Sequence, residues 1–220
     1  MNILAKHLTK RINLGTETLT ILEDISLNIE SGESCAVVGV SGSGKSTLLG
    51  LLAGLDLPTE GQVFWDKVDL TELTEDARAK LRAKNLGFIF QSFQLLPNLT
   101  ALENVLLPLE LNEVKRPKSI AIDILDKVGL SERLNHQPRQ LSGGEQQRVA
   151  IARAFATKPK ILFADEPTGN LDQATGNMII NLLFDLNEQF KTTLICVTHD
   201  PAIGERCQRL LKLAAGKWVV

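Results

Sequence analysis

The sequence predicts an α/β fold, on three observations. A glycine-rich loop, Gly39-Val40-Ser41-Gly42-Ser43-Gly44-Lys45-Ser46-Thr47, lies between the apolar run 35–38 and an apolar, helix-like stretch over 48–53. Three further short apolar runs, 87–90, 161–164 and 194–197, stop at polar residues: Gln91, Asp165-Glu166 and Thr198-His199-Asp200. The segments between them carry helix-start signals instead of alternation. Short apolar runs bounded in this way read as buried strands, and α/β sheets bind ligands at the carboxyl ends of their strands.

The loop is the most specific of these signals. Glycines at 39, 42 and 44 let backbone N–H groups turn inward on an anion, helped by the positive end of the helix that begins near Lys45. Lys45 adds a charge able to reach the β- and γ-phosphates of a nucleotide, and the Ser46 hydroxyl suits Mg2+. The spacing G-x-x-x-x-G-K-[ST] between strand and helix is a phosphate-binding loop.

Composition narrows the remaining classes. At 220 residues the chain builds one domain with a subsidiary lobe, and 24 Lys plus Arg against 26 Asp plus Glu leave no basic field for nucleic acid. Cys35, Cys196 and Cys207 lack metal spacing, as expected of reduced thiols in a cytosolic protein. The N-terminus has no apolar leader core, and the longest apolar run is too short to span a bilayer, so a membrane role would come through a partner.

Along the chain, residues 3–8, 19–29 and 62–65 read as strands of a small antiparallel sheet flanking the core. Residues 74–83 read as an amphipathic helix with Ala77, Leu81 and Ala83 on its apolar face and its charges in solvent. Thr100 and Glu103 form a capping box opening a helix to about Leu111, and Pro117 opens another ending near Gly129. A second box, Ser142 with Glu145, has two glycines in its first turn, at about 1 kcal/mol each against a good helix former. That cost predicts close approach of another molecule, and an anion suits a helix N-terminus. Asp165 is placed to hold Mg2+ and Glu166 to polarise an attacking water. Asp172 fits an N-cap or a contact role, and His199 fits a hydrogen bond to the γ-phosphate or that water.

Together these residues resemble the nucleotide-binding subunit of ATP-binding cassette (ABC) transporters over essentially the whole chain. The stretch Leu141-Ser142-Gly143-Gly144-Glu145-Gln146-Gln147-Arg148 is similar to the family signature. The resemblance implies a single nucleotide-binding domain over 1–220, a P-loop NTPase (RecA-like) core with a flanking antiparallel β subdomain and an inserted helical subdomain over approximately 92–157. It implies an ATP hydrolase using ATP and Mg2+, with residues 39–47 as Walker A, Gln91 as Q-loop and metal contact, residues 161–166 as Walker B, 170–172 as D-loop and His199 as switch. Head-to-tail homodimers in that family bring Ser142, Gly143 and Gly144 of one chain onto the γ-phosphate held by the other.

The segment from Phe163 to Asp172, with Gln91-Ser92-Phe93, resembles the branch containing LolD, MacB and FtsE, and residues 76–84 look closest to YbbA-type subunits. Such subunits work with an FtsX/MacB-like permease on the cytoplasmic face of the inner membrane, docked through the helical subdomain. One departure stands out. Where the family places an aromatic residue a few positions after the first strand, to stack on adenine, this sequence has Ile12, with no aromatic before Phe64 and no tyrosine. An isoleucine covers a base with apolar surface but cannot stack. The competing class, a soluble cassette ATPase acting on nucleic acid or ribosomes, calls for a long coiled coil or a second cassette, and neither is found.

Overall fold

In chain order the elements are β1 (Ile3–Leu14), β2 (Glu17–Ile29), β3 (Ser34–Val38), α1 (Lys45–Leu52), β4 (Glu60–Trp65), β5 (Val68–Asp69), α2 (Glu75–Asn85), β6 (Leu86–Ile89), α3 (Ala101–Leu111), α4 (Pro117–Lys127), α5 (Gly143–Ala156), β7 (Ile161–Asp165), α6 (Gln173–Phe190), β8 (Thr193–Thr198), α7 (Pro201–Arg206), β9 (Arg209–Ala214) and β10 (Lys217–Val219). The computed structural model describes residues 1–15 and 17–219. It divides into two compact units, Met1–Arg82 with Thr192–Val220, and Ala83–Lys191.

The first unit holds two sets of strands. The antiparallel set runs in the order β2-β1-β4-β5. Its inner face is set by Ile3, Ala5, Leu8, Leu22, Ile25, Leu27 and Ile29, all buried. The alternation expected over 19–29 slips where Asp24 takes a positive φ of 53°, so burial passes from Leu22 to Ile25 while Leu19 stays outside. In the other set, β3 runs parallel to both β8 and β9, and β10 returns antiparallel to β9. All of β8 and most of β3 are buried, so these segments are apolar apart from Ser34, Thr193 and Thr198 at their ends, as befits strands covered on both faces.

In the second unit β6 and β7 run parallel. Helix α5 packs on β6, α3, α4 and α6, burying Val149, Ala152, Phe155 and Ala156 as its periodicity predicts. Phe155 stacks on Phe190 at 5.6 Å. Both capping boxes form, Thr100 with Glu103 and Ser142 with Glu145.

Two expectations need correction. The charges of α2 are not simply solvated: Arg78 is buried and donates to the Leu73 carbonyl at 2.7 Å and to Glu75 at 2.7 Å, while Arg82 reaches the Gly54 carbonyl at 2.6 Å. Ala83, assigned to the apolar face, is exposed. Long arginine stems cover apolar surface while their heads satisfy carbonyls, so the helix packs through residues that a hydrophobic count treats as solvent-facing. Ile12, expected beyond the end of the first strand, lies inside β1, because the pairing with β2 resumes past register shifts and continues to Leu14.

Candidate functional site

In the first unit, β3 delivers the chain into the glycine-rich loop and α1 carries it away. A Cβ on Gly39 would lie 2.1 Å from the Leu213 carbonyl oxygen and 2.7 Å from Ser43 Oγ, so no larger residue fits there. Gly44 takes φ 99° as the N-cap of α1, with no side chain capping the helix. The first amides of α1 are thus left to an outside acceptor, the arrangement that binds anions at helix N-termini. Lys45, 9% exposed, donates from Nζ to the carbonyls of Gly39 at 2.8 Å and Val40 at 3.1 Å. Its ammonium therefore sits over the loop. Ser43 Oγ is buried without a hydrogen-bond partner, a polar atom that the loop by itself leaves unsatisfied.

Ser41, Gly42, Ser46 and Thr47 complete the loop, with Ser46 exposed and Val40 73% exposed. Ile12 belongs to the same unit, paired across strands with Leu19, and both are exposed, at 41% and 52%. His199 follows the carboxyl end of β8 and is exposed, with Asp200 capping α7 through the Ala202 amide.

The second unit gathers Gln91, Ser142, Gly143, Gly144, Asp165, Glu166 and Asp172. Asp165 ends β7, and Glu166 follows at φ 47°, a left-handed backbone that turns the chain sharply as the strand stops. The Glu166 carbonyl accepts from Gly169 N at 3.0 Å, and Asn170 Nδ2 donates to the Gln91 carbonyl at 2.8 Å. Asp172 caps α6: Thr175 N donates to Oδ1 at 3.0 Å and Thr175 Oγ1 to Oδ2 at 2.6 Å. These bonds, the Thr175 hydroxyl first, hold its carboxyl below the usual range.

At the start of α5 the Ser142 amide donates to Glu145 Oε2 at 2.8 Å, and Arg133 Nε to Oε1 at 3.0 Å. The Ser142 amide and then Arg133 bring the Glu145 carboxyl down to about 2. The two glycines that follow Ser142 have different causes. A Cβ on Gly144 would meet Thr175 Cγ2 at 2.6 Å, and Asp172 fixes that threonine, so packing of α5 on α6 demands this glycine. A Cβ on Gly143 would meet nothing nearer than Leu171 Cδ2 at 3.5 Å, an ordinary contact. Nothing within the unit explains Gly143.

Mg2+ prefers oxygen donors and normally shares itself between one or two protein groups and phosphate oxygens. In the first unit Ser46 offers a hydroxyl oxygen, and in the second Gln91 and Asp165 offer an amide and a carboxylate oxygen; no group of three His, Cys, Asp or Glu side chains able to cage a metal exists among the described residues. Each of the three is an oxygen donor of the kind Mg2+ takes together with phosphate oxygens. Arg133 and Arg153, which brace this machinery, carried no sequence signal, and Gln147 stood in the signature stretch with no readable partner, because the partners lie elsewhere in the chain.

The phosphate loop, the signature and the strand-end carboxylates define a nucleotide-hydrolysing cassette. The family model for ABC transporters matches residues 22–169, and the chain belongs to that family. It is an ATP-binding subunit of the LolD and YbbA type, an ATP hydrolase on a P-loop NTPase fold. The ABC transporter ATP-binding protein YbbA of Escherichia coli K12 is 54% identical over 96% of this chain and 93% of its own length. The lipoprotein-releasing system ATP-binding protein LolD of Legionella pneumophila Paris is 49% identical over 96% and 94%. Among solved structures, the ATP-binding cassette MJ0796, as a dimer in a post-hydrolysis state bound to ADP and Pi, is similar with TM-score 0.92 and 42% identity, covering 99% of this chain and 97% of the other.

Proposed function

We propose that this subunit works as a head-to-tail homodimer coupled to an integral-membrane permease of the FtsX/MacB type, powering export, lipoprotein release or mechanical transmission. The chain is a single nucleotide-binding domain over 1–220, and its inserted helical subdomain, approximately 92–157, is the docking surface. The subunit is cytoplasmic and peripheral on the inner membrane. No helix among the described residues is long and apolar enough to cross a membrane, which suits a partner-borne attachment.

Residues 39–47 cradle the triphosphate through backbone amides and Lys45, while Ile12 covers the adenine. Ser46, Gln91 and Asp165 would hold Mg2+, which when bound would draw charge from the phosphate oxygens. Glu166 takes the proton of a water that attacks the γ-phosphorus; the β–γ bridging oxygen leaves with the bonding pair, giving ADP and Pi. His199 hydrogen-bonds the γ-phosphate. Ser142, Gly143 and Gly144 of one protomer, with Asp172 beside them in sequence role as D-loop, meet the nucleotide of the other. The observation that carries this reading is Gly143: a glycine in a helix's first turn that its own protomer does not require leaves bare amides for an anion from outside. The dimeric, ADP- and Pi-bound state of MJ0796 supports it.

Glu166→Gln tests the reading. It keeps a polar side chain but removes the base, so turnover should fall on the order of 10²- to 10⁴-fold with ATP affinity retained. Under Mg-ATP this variant should elute from size-exclusion chromatography as a dimer. A monomer at saturating ATP counts against the shared site, and wild-type turnover counts against Glu166 as base.

A further inference from the structure

Two stretches of the second unit combine non-glycine residues in left-handed backbone with a place beside a candidate site residue. Glu166 stands at φ 47°, and Phe93 and Gln94, just after Gln91, stand at 60° and 46°. Such conformations cost roughly 1–3 kcal/mol each and persist only where the surroundings hold them. In both stretches the holding group comes from α5. Gln147 Nε2 donates to the Pro167 carbonyl, one residue past Glu166, at 2.7 Å. Arg153 donates from Nη1 to the Gln94 carbonyl at 2.6 Å and from Nη2 to the Phe93 carbonyl at 3.0 Å.

Neither residue is what packing alone would select. Gln147 is fully buried, and its Oε1 has no hydrogen-bond partner. The orientation is forced, since a carbonyl only accepts and the amide nitrogen must face Pro167. An apolar side chain of the same volume would avoid the orphaned oxygen. Arg153 is half-buried, and that burial pulls its pKa below the ordinary arginine value. A charged group taken from water to grip two carbonyls is a fixed fork, suited to bidentate holding. The two donors stand on one continuous helix that starts at Gly143, roughly 9 Å apart along its axis at 1.5 Å per residue.

We propose that Gln147 and Arg153 are positioning residues: they tie the Glu166 turn and the segment after Gln91 to the signature helix, so that one rigid rod sets both. The proposal rests on the reading of Glu166 as base. It follows that a displacement of the α5 N-terminus on engaging a nucleotide reaches Glu166 and the Gln91 loop together.

The test uses the full chain with Gln147→Met, Gln147→Glu, Arg153→Met and Arg153→Lys, measuring kcat and KM for ATP, ATP affinity by calorimetry and thermal midpoint. Gln147→Met and Arg153→Met should each lower kcat about tenfold or more, with KM and ATP affinity changed less than about threefold. Arg153→Lys, keeping one donor, should recover part of the loss. Gln147→Glu preserves shape, and because a fully buried carboxyl facing a carbonyl stays protonated and donates its O–H, it should keep more of the wild-type kcat than Gln147→Met; a loss equal to that of Gln147→Met would count against the donor role. In a Glu166→Gln background, Gln147→Met should lower the residual turnover no further, because the group it positions is gone. Wild-type kcat in both methionine variants overturns the proposal, as does an undiminished loss from Gln147→Met in the Glu166→Gln background. Wild-type turnover by Glu166→Gln alone instead overturns the assignment of the base.

Discussion

The glycines of the phosphate loop and the glycines of the signature helix look alike in sequence and differ in cause. In the loop, Gly39 is pressed against the Leu213 carbonyl and Gly44 takes a left-handed turn onto α1. The protomer's own geometry requires both. At α5 only Gly144 is required internally, by Thr175, whereas Gly143 has room for a Cβ. The loop is a cradle finished within one chain. In the proposed function, the signature is a surface prepared for something the chain does not contain, and the space around Gly143 separates the two where the motifs alone do not.

Substitutions that reverse the two roles should have the largest effects. Gly39→Ala forces the loop away from Leu213 and should weaken ATP binding by more than about tenfold, with loss of stability of roughly 1–3 kcal/mol from overpacking. Gly143→Ala should leave the isolated protomer at least as stable, since alanine is the better helix former by up to about 1 kcal/mol. Gly143→Asp should also fold, because a carboxylate in the first turn suits the helix dipole. Placed in the Glu166→Gln background, however, it should abolish the Mg-ATP dimer on size-exclusion chromatography while monomer ATP affinity by calorimetry stays unchanged. Equal dimer formation would show that Gly143 faces no phosphate.

Lys45→Ala comes next in size. The ammonium spans the Gly39 and Val40 carbonyls, and charge-assisted hydrogen bonds of its kind are worth about 1.5–3 kcal/mol. ATP affinity should fall roughly 10- to 150-fold by calorimetry. An unchanged affinity would mean that backbone amides alone hold the phosphates.

How much of this was legible follows from the range of each interaction. The strand ends at Gln91, Asp165 and His199 and both capping boxes could be read because their determinants lie within four residues of one another. The packing demand on Gly144 could not be read, since Thr175, which it packs against, stands far along the chain. Arg78 and Arg82 were assigned to solvent because polarity gives no warning that Leu73 and Gly54 offer carbonyls. The tethering contacts of Gln147 and Arg153 could not be read for the same reason: their partners are 20 and about 60 positions away. The position of Ile12 inside β1 depended on register shifts, which the apolar pattern does not encode.

The smallest expected effect sharpens the same contrast. The phosphate cradle is built from backbone amides and a lysine and contains no carboxylate. The signature helix instead starts on a carboxylate: Glu145, whose pKa falls from the ordinary 4.5 to about 2 through the Ser142 amide first and Arg133 after it. A carboxyl depressed on folding contributes stability that is fully present above the unfolded value and is lost as pH falls through the folded one. The window is therefore about pH 4.5 down to about 2. Because Glu145 is partly solvated, the contribution is about 1 kcal/mol. Glu145→Gln keeps an acceptor for the Ser142 amide without the charge, so its stability should vary less across that window. Urea unfolding of both proteins through it should show wild type losing about 1 kcal/mol more than the variant. Parallel curves would place the acid sensitivity elsewhere and leave the signature no more dependent on an ionised side chain than the loop.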